Sequence, residues 1–142
     1  MSFEQKKIQV TAKKKGFFLI THLIEKKFPE VNNYKIGTLH LFIKHTSASL
    51  TINENADPTV RKDLESYFNK SVPENEPYYK HTFEGPDDMP AHIKSSIIGN
   101  NLTIPISEGS LQLGTWQGIY LCEHRKNPHT RKIIATINGE KF

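Results

Sequence analysis

A single cysteine, Cys122, stands in the whole sequence. One thiol cannot close an intramolecular disulfide, and with no CxxC companion it forms neither a redox pair nor a zinc knuckle. Its neighbours in Ile119-Tyr120-Leu121-Cys122 are apolar, so Cys122 is expected to be a buried structural thiol and not a nucleophile. No run of about 18 apolar residues is present that could cross a bilayer. The opening MSFEQKKIQVTAKKKGFF lacks an apolar stretch ending in a small-residue cleavage site, so a cytoplasmic protein is expected, with the nucleus also open. Absent too are GxxxxGK[ST], GxGxxG and HExxH, which argues against a P-loop, a dinucleotide-binding unit and a helix-borne zinc pair. Any metal site must therefore be assembled from distant segments.

What is present suits one folded domain. The chain has 142 residues, 36% hydrophobic and 24% charged, with no linker-like stretch, no internal repeat and no low-complexity tract. Its formal charge of +4 would suit an anionic ligand. Much of that excess comes from Lys6, Lys7, Lys13, Lys14 and Lys15, which read as a solvated face. The basic residues are not interleaved with aromatics along one stripe, so nucleic-acid binding is not expected.

Residues 3–12 alternate as a first strand, with Ile8, Val10 and Ala12 on one side, until Gly16 breaks the pattern. Ile20, Leu23, Ile24 and Phe28 then follow helical spacing up to Pro29. Thr38 to Lys44 alternates as a strand, and Ser49-Leu50-Thr51-Ile52 continues the β pattern. Asp57-Pro58 is an N-cap followed by proline at the first helical position, and Val60, Leu64, Tyr67 and Phe68 carry the apolar face of that helix to about Lys70. The Pro-, Glu- and Asp-rich stretch SVPENEPYYKHTFEGPDDMP is long for a connection, which points to an ordered or functional loop. A short helix is expected from about Met89 to Ile98, closed by Gly99, with Ala91, Ile93 and Ile97 inward and Asp88 and His92 four residues apart. Leu102, Ile104 and Ile106 alternate into a turn at Ser107-Glu108-Gly109. Leu111 and Leu113 begin a strand that Gly114 interrupts and Ile119 to Glu123 continues, and Arg131, Ile133, Ala135 and Ile137 form the last one. The expectation is an α+β domain with an antiparallel β-sandwich-like core and two or three short helices.

Polar residues gather at strand ends and in the long loop: His45-Thr46-Ser47; Asn53, Asn55 and Asp57; His81 with Asp87, Asp88 and His92; and Glu123, His124 and Arg125. A lone histidine is more often structural than functional. Several histidines with carboxylates are the side chains that bind divalent metals and move protons near neutral pH. Leu113-Gly114-Thr115-Trp116-Gln117-Gly118 could meet a phosphate through its amides and the Thr115 hydroxyl, or be a strand bulge with Trp116 packed below. Capping accounts for Asp57, and Asp63 reads as a solvated charge.

The strings His45-Thr46-Ser47-Ala48, Asn53-x-x-x-Asp57, Gly85-Pro86-Asp87-Asp88-Met89-Pro90-Ala91-His92-Ile93-Lys94, Leu113-Gly114-Thr115-Trp116-Gln117 and Glu123-x-Arg125 resemble, in order from about residue 5 to residue 139, the YjbQ-like family, also called the secondary thiamine-phosphate synthase family. The resemblance implies a β-rich α+β fold, a homotrimer with polar residues near the subunit interface, a weak thiamine phosphate synthase activity and a metal-binding histidine cluster. The matching positions are His45, His81 and His92 for the metal, with Glu123 and Arg125 nearby in the motif order. On this reading His92, Glu123, Arg125 and Asp57 carry catalysis, and Ser47, Asn53, Lys94, Thr115, Gln117 and Arg131 hold a phosphorylated substrate.

That reaction joins a pyrimidine methyl diphosphate to a thiazole phosphate, so the site must bind two anions and stabilise departing diphosphate. Arg125, Arg131 and Lys94 could supply charge. Asp57, Asp63, Asp88 and Glu123 would suit Mg²⁺, whereas His45, His81 and His92 suit zinc or another transition ion. The usual architecture for this chemistry, a TIM barrel of roughly 250 residues, is longer than this chain. Two readings stand: a small metal-assisted transferase, or a non-catalytic module that binds a phosphorylated metabolite or a metal.

Overall fold

The computed structural model describes residues 1–142. Alternation of apolar and polar residues builds the first layer, a five-stranded antiparallel sheet. Strand β1 (Ser2–Ala12) pairs along its whole length with the final strand β8 (His129–Lys141), and β8 also pairs with β3 (Tyr34–Ile43). Beyond β3 come β5 (Asn101–Ser107) and the two-residue β6 (Ser110–Leu111). One face of this sheet presents Ile8, Val10, Leu39, Leu41, Ile104, Ile133 and Ile137 to the core. Truncating a fully buried leucine there, such as Leu39→Ala, costs about 2–5 kcal/mol.

The second layer is a three-stranded sheet of β2 (Gly16–Leu19), β7 (Gln117–Glu123) and β4 (Ala48–Glu54), in that order and all antiparallel. One face of it, with Ala48, Leu50, Ile119 and Leu121, closes onto the large sheet together with helix α1 (Thr21–Lys27). The other face, with Phe17, Tyr120 and Cys122, is covered by Leu64 and Phe68 of helix α2 (Pro58–Ser71) and Ile98 of helix α3 (Asp88–Ile98). Strand β7 is thus buried on both sides, which is why it reads as an unbroken apolar run instead of alternating. Cys122 is buried, as expected, and burial pushes its thiol up to about 12.

The α+β class, the sandwich of antiparallel sheets and the three short helices match the expectation from sequence. The Asp57 cap is present: its Oδ1 accepts the Thr59 amide at 2.9 Å. Gly99, at φ +111°, lets the chain leave α3 for β5. Four details differ. Strand β2 was not foreseen, because four residues starting at a glycine carry too little pattern. Residues 110–123 are not one interrupted strand: β6 extends the large sheet and β7 is the centre of the small one. On α3 the buried positions are Asp88, Pro90, Ala91, Lys94 and Ser95, while Ile97 faces solvent; on α2 Tyr67 is likewise exposed. Trp116 is 64% exposed and is not packed beneath its loop.

Candidate functional site

Strands β4 and β7 pair from Ala48↔Glu123 at one end to Glu54↔Gln117 at the other. Six residues at about 3.3 Å each separate the two ends by roughly 20 Å. The expected site residues divide between them.

At the Glu123 end, α3 begins at Asp88, so His92 lies one turn further along the same helix face. The preceding loop folds His81 back over them. His81 Nε2 is 2.6 Å and His92 Nε2 3.2 Å from the same oxygen, Asp88 Oδ2. The three ligand atoms lie within 4.8 Å of one another. His92 Nδ1 donates to the Thr46 carbonyl at 2.9 Å, which orients the ring with Nε2 toward Asp88.

Asp88 is only 1% exposed, and Arg125 determines how it is held. Arg125 Nη1 donates to Asp88 Oδ1 at 2.8 Å, Nε to Asp87 Oδ2 at 3.0 Å and Nη2 to the Glu84 carbonyl at 3.0 Å. One guanidinium thus fastens the end of the loop and turns Oδ2 of Asp88 toward the histidines. Burial alone would raise the Asp88 carboxyl, but the hydrogen bond from His81, the Arg125 charge and His92 hold it below the usual carboxylate range. Asp87 is held low in the same way, against burial, by the Lys126 amide and Arg125.

Behind Arg125 lies a buried ion pair. Arg131 donates through Nε to Glu123 Oε1 at 2.7 Å and through Nη2 to Glu123 Oε2, and Glu123 Oε2 also accepts the Arg125 amide at 3.1 Å. Arg131 further donates to the Ser47 carbonyl at 3.2 Å. Ser47, Glu123, Arg125 and Arg131 therefore form the frame of the site, with both guanidinium groups already paired to carboxylates.

His45 stands apart from the three-ligand group: its Nε2 accepts the Lys132 amide at 2.8 Å. That contact puts the ring proton on Nδ1, and burial, with Arg131 next, lowers the tendency of the ring to protonate. His45 lines a cavity of about 360 Å³ together with Thr46, His92, Ser95, Ser96, Gly99 and Asn100, with no apolar side chain among them. Lys94 faces elsewhere, donating to Asn69 Oδ1 on α2.

At the Gln117 end the remaining expected residues make local bonds. Asn53 Oδ1 accepts the Glu54 amide, Asn55 Nδ2 donates to the Thr115 and Gln117 carbonyls, and Gln117 Oε1 accepts the Gly114 amide. The Asp57 carboxylate is engaged by Thr59, which holds it low. Within the chain, Asn53, Asp57, Thr115 and Gln117 do not join His92.

Sequence reasoning placed Asp88 and His92 on one helix turn but took the metal ligands to be His45, His81 and His92; it is Asp88 that converges with the other two. The Thr46 carbonyl and the wall of Ser96 and Asn100 carry no sequence signal, since they depend on how α3 docks on β4.

The sequence and fold have known counterparts. The sequence profile described as "UPF0047 protein YjbQ-like" matches residues 6–140. This chain is 52% identical over 136 residues to the "UPF0047 protein YjbQ" of Escherichia coli O157:H7, covering 96% of this chain and 98% of that one. The protein of the same description from Salmonella typhimurium is 54% identical over 136 residues, with the same coverage. A crystal structure of a YjbQ/UPF0047 family protein from Clostridium acetobutylicum superposes with a TM-score of 0.80 at 40% identity, covering 92% of this chain and 99% of that one. The chain belongs to the YjbQ-like (UPF0047) family.

Proposed function

We propose that this protein is a metal-dependent enzyme acting on a small phosphorylated substrate, with His81, Asp88 and His92 as the metal ligands. The observation that carries the reading is the convergence of His81 Nε2, Asp88 Oδ2 and His92 Nε2 beside a cavity lined by no hydrophobic residue. Two imidazoles and one carboxylate leave coordination positions open, the arrangement of catalytic and not of closed structural sites. Two nitrogen donors favour zinc or another transition ion over magnesium, and this supports the histidine set over the carboxylate set. When bound, such an ion supplies Lewis-acid polarisation of a phosphoryl or carbonyl oxygen, or an activated water. The chain's own residues orient the ligands: Thr46 through His92 Nδ1, and Arg125 through Asp88 Oδ1.

A hydrophilic substrate is supported by the seven cavity residues, which offer hydroxyls, amides and the Nδ1 proton of His45. Thiamine phosphate formation is the first reaction to test and is expected to be weak here. The Arg125 and Arg131 charges it would draw on for diphosphate are committed to Asp87, Asp88 and Glu123. The same reading includes a cytoplasmic homotrimer. It is supported by large apolar side chains at the surface, among them Phe83 at 99% exposure, Tyr78 and Trp116. No helix is long and apolar enough to cross a membrane.

The test is kcat/KM for thiamine phosphate formation, and for hydrolysis of a panel of phosphorylated sugars, with Zn²⁺, Mn²⁺, Mg²⁺ or chelator, in the wild type and His92→Ala. A metal-dependent value above about 10⁴ M⁻¹s⁻¹ that His92→Ala abolishes establishes the enzyme and its substrate class. Metal binding with no turnover on any substrate makes it a non-catalytic module. Light scattering at three chain masses supports the trimer, and one chain mass contradicts it.

A further inference from the structure

Lys94 is an unusual residue to bury, at only 3% exposure. It leaves α3 two positions after His92, about 200° around the helix, and so enters the molecule on the side turned away from the metal ligands. Its ammonium donates to Asn69 Oδ1 at 2.9 Å. Lys15, just before β2, donates to the same oxygen at 3.0 Å. Two ammonium groups thus converge on one neutral acceptor, and no ion pair of the chain includes either of them. Buried charges are ordinarily matched by an opposite charge.

Both lysines line a cavity of about 10 Å³ whose other walls include Phe17, Phe68, His124, Glu65 and Glu123. Glu123 is neutralised by Arg131. The His124 ring is neutral, since burial, with Lys94 next, pushes it down to about 3, and its Nε2 is bonded to Ser49 Oγ at 2.8 Å. Of the other carboxylates whose charge reaches Lys94, Glu74 is paired with Lys126 and Asp87 with Arg125, so the two ammonium groups face one uncommitted carboxylate, Glu65, and a single positive charge is left at the cavity. Burial, reinforced by Lys15, lowers Lys94 to about 8, so an opposite charge beside it would stabilise its ammonium form. The volume admits one atom of water size.

We propose that this cavity is a small-anion site, in which a halide or one terminal oxygen of a phosphate-type oxyanion sits between Lys15 and Lys94 and ties α2 and α3 to β2. It lies on the opposite face of α3 from His92 and stands independently of the metal reading. An anion that binds the folded chain and not the unfolded one raises the melting temperature saturably.

The experiment is thermal unfolding of chelator-treated full-length protein in sodium chloride or sodium phosphate, each against the bulky anion gluconate at equal ionic strength. The wild type is expected to show a saturable rise in Tm over gluconate: with chloride if a halide fits, with phosphate alone if the occupant is an oxyanion. Lys15→Gln should lose the rise. Asn69→Asp, which places a carboxylate between the two lysines, should melt higher than wild type in gluconate and no longer respond to either anion. Identical melting in all three salts, or a full response retained in Lys15→Gln and Asn69→Asp, would overturn the proposal.

Discussion

The two ends of the β4–β7 pair carry similar residues and behave differently. At the Gln117 end, Asn53, Asp57 and Gln117 lie near the surface and bond backbone close by in sequence, capping α2 and closing the Gly114 turn, while Asn55 reaches only the exposed Thr115 and Gln117 carbonyls. At the Glu123 end, Asp88, Glu123 and Arg131 are buried among α3, the 72–87 loop and β8, and each charge is held by a partner from a different segment. A polar residue that satisfies its neighbour in sequence stabilises a turn. One that is buried and oriented from elsewhere has a fixed direction, which a metal or a substrate can use.

The comparison predicts a graded set of effects. Glu123→Ala strands the Arg131 guanidinium in the interior and should lower unfolding free energy by about 3–5 kcal/mol in urea titrations. Arg125→Lys keeps the charge but cannot span Asp87, Asp88 and the Glu84 carbonyl together. It should weaken metal binding by about 10–100-fold in calorimetry, with a smaller effect on Tm.

The buried Glu123 end should also respond to acid. His124 has its folded pKa near 3, below its ordinary 6.5, so between those values the unfolded chain takes up a proton that the folded chain does not. Stability contributed by the neutral ring is complete above pH 6.5 and declines as the pH falls toward 3, by up to about 1.4 kcal/mol per pH unit. His124→Gln should flatten that slope in unfolding measured from pH 7 to 4. At the Gln117 end, Asp57→Ala removes only a cap and should cost about 1 kcal/mol. Trp116→Ala should change the stability of the isolated chain by less than about 0.5 kcal/mol.

The fold was legible wherever one residue type had one cause. Ile8, Leu39, Leu41 and Ile137 alternate because one sheet face is dry, and Asp57-Pro58 marks a helix start because capping is local. Ile119–Cys122 misled, because burial on both faces erases alternation and hides the switch between sheets at residues 111–117. The site was half legible. Asp88 and His92 share a helix turn, which spacing reveals; His81 reaches them through a loop, where spacing says nothing. Arg125 and Arg131 look like free cations in the sequence, yet both are committed to carboxylates by contacts 8 to 38 residues away along the chain. His45 is likewise committed over a long range, accepting the Lys132 amide through Nε2.

The most direct test of the account is the stoichiometry of Zn²⁺ binding to purified wild type, Asp88→Asn and His45→Ala, by calorimetry and elemental analysis. One tightly bound ion per chain in wild type and His45→Ala, lost in Asp88→Asn, is the result expected for a His81/Asp88/His92 centre. Loss of the ion in His45→Ala with retention in Asp88→Asn would contradict it.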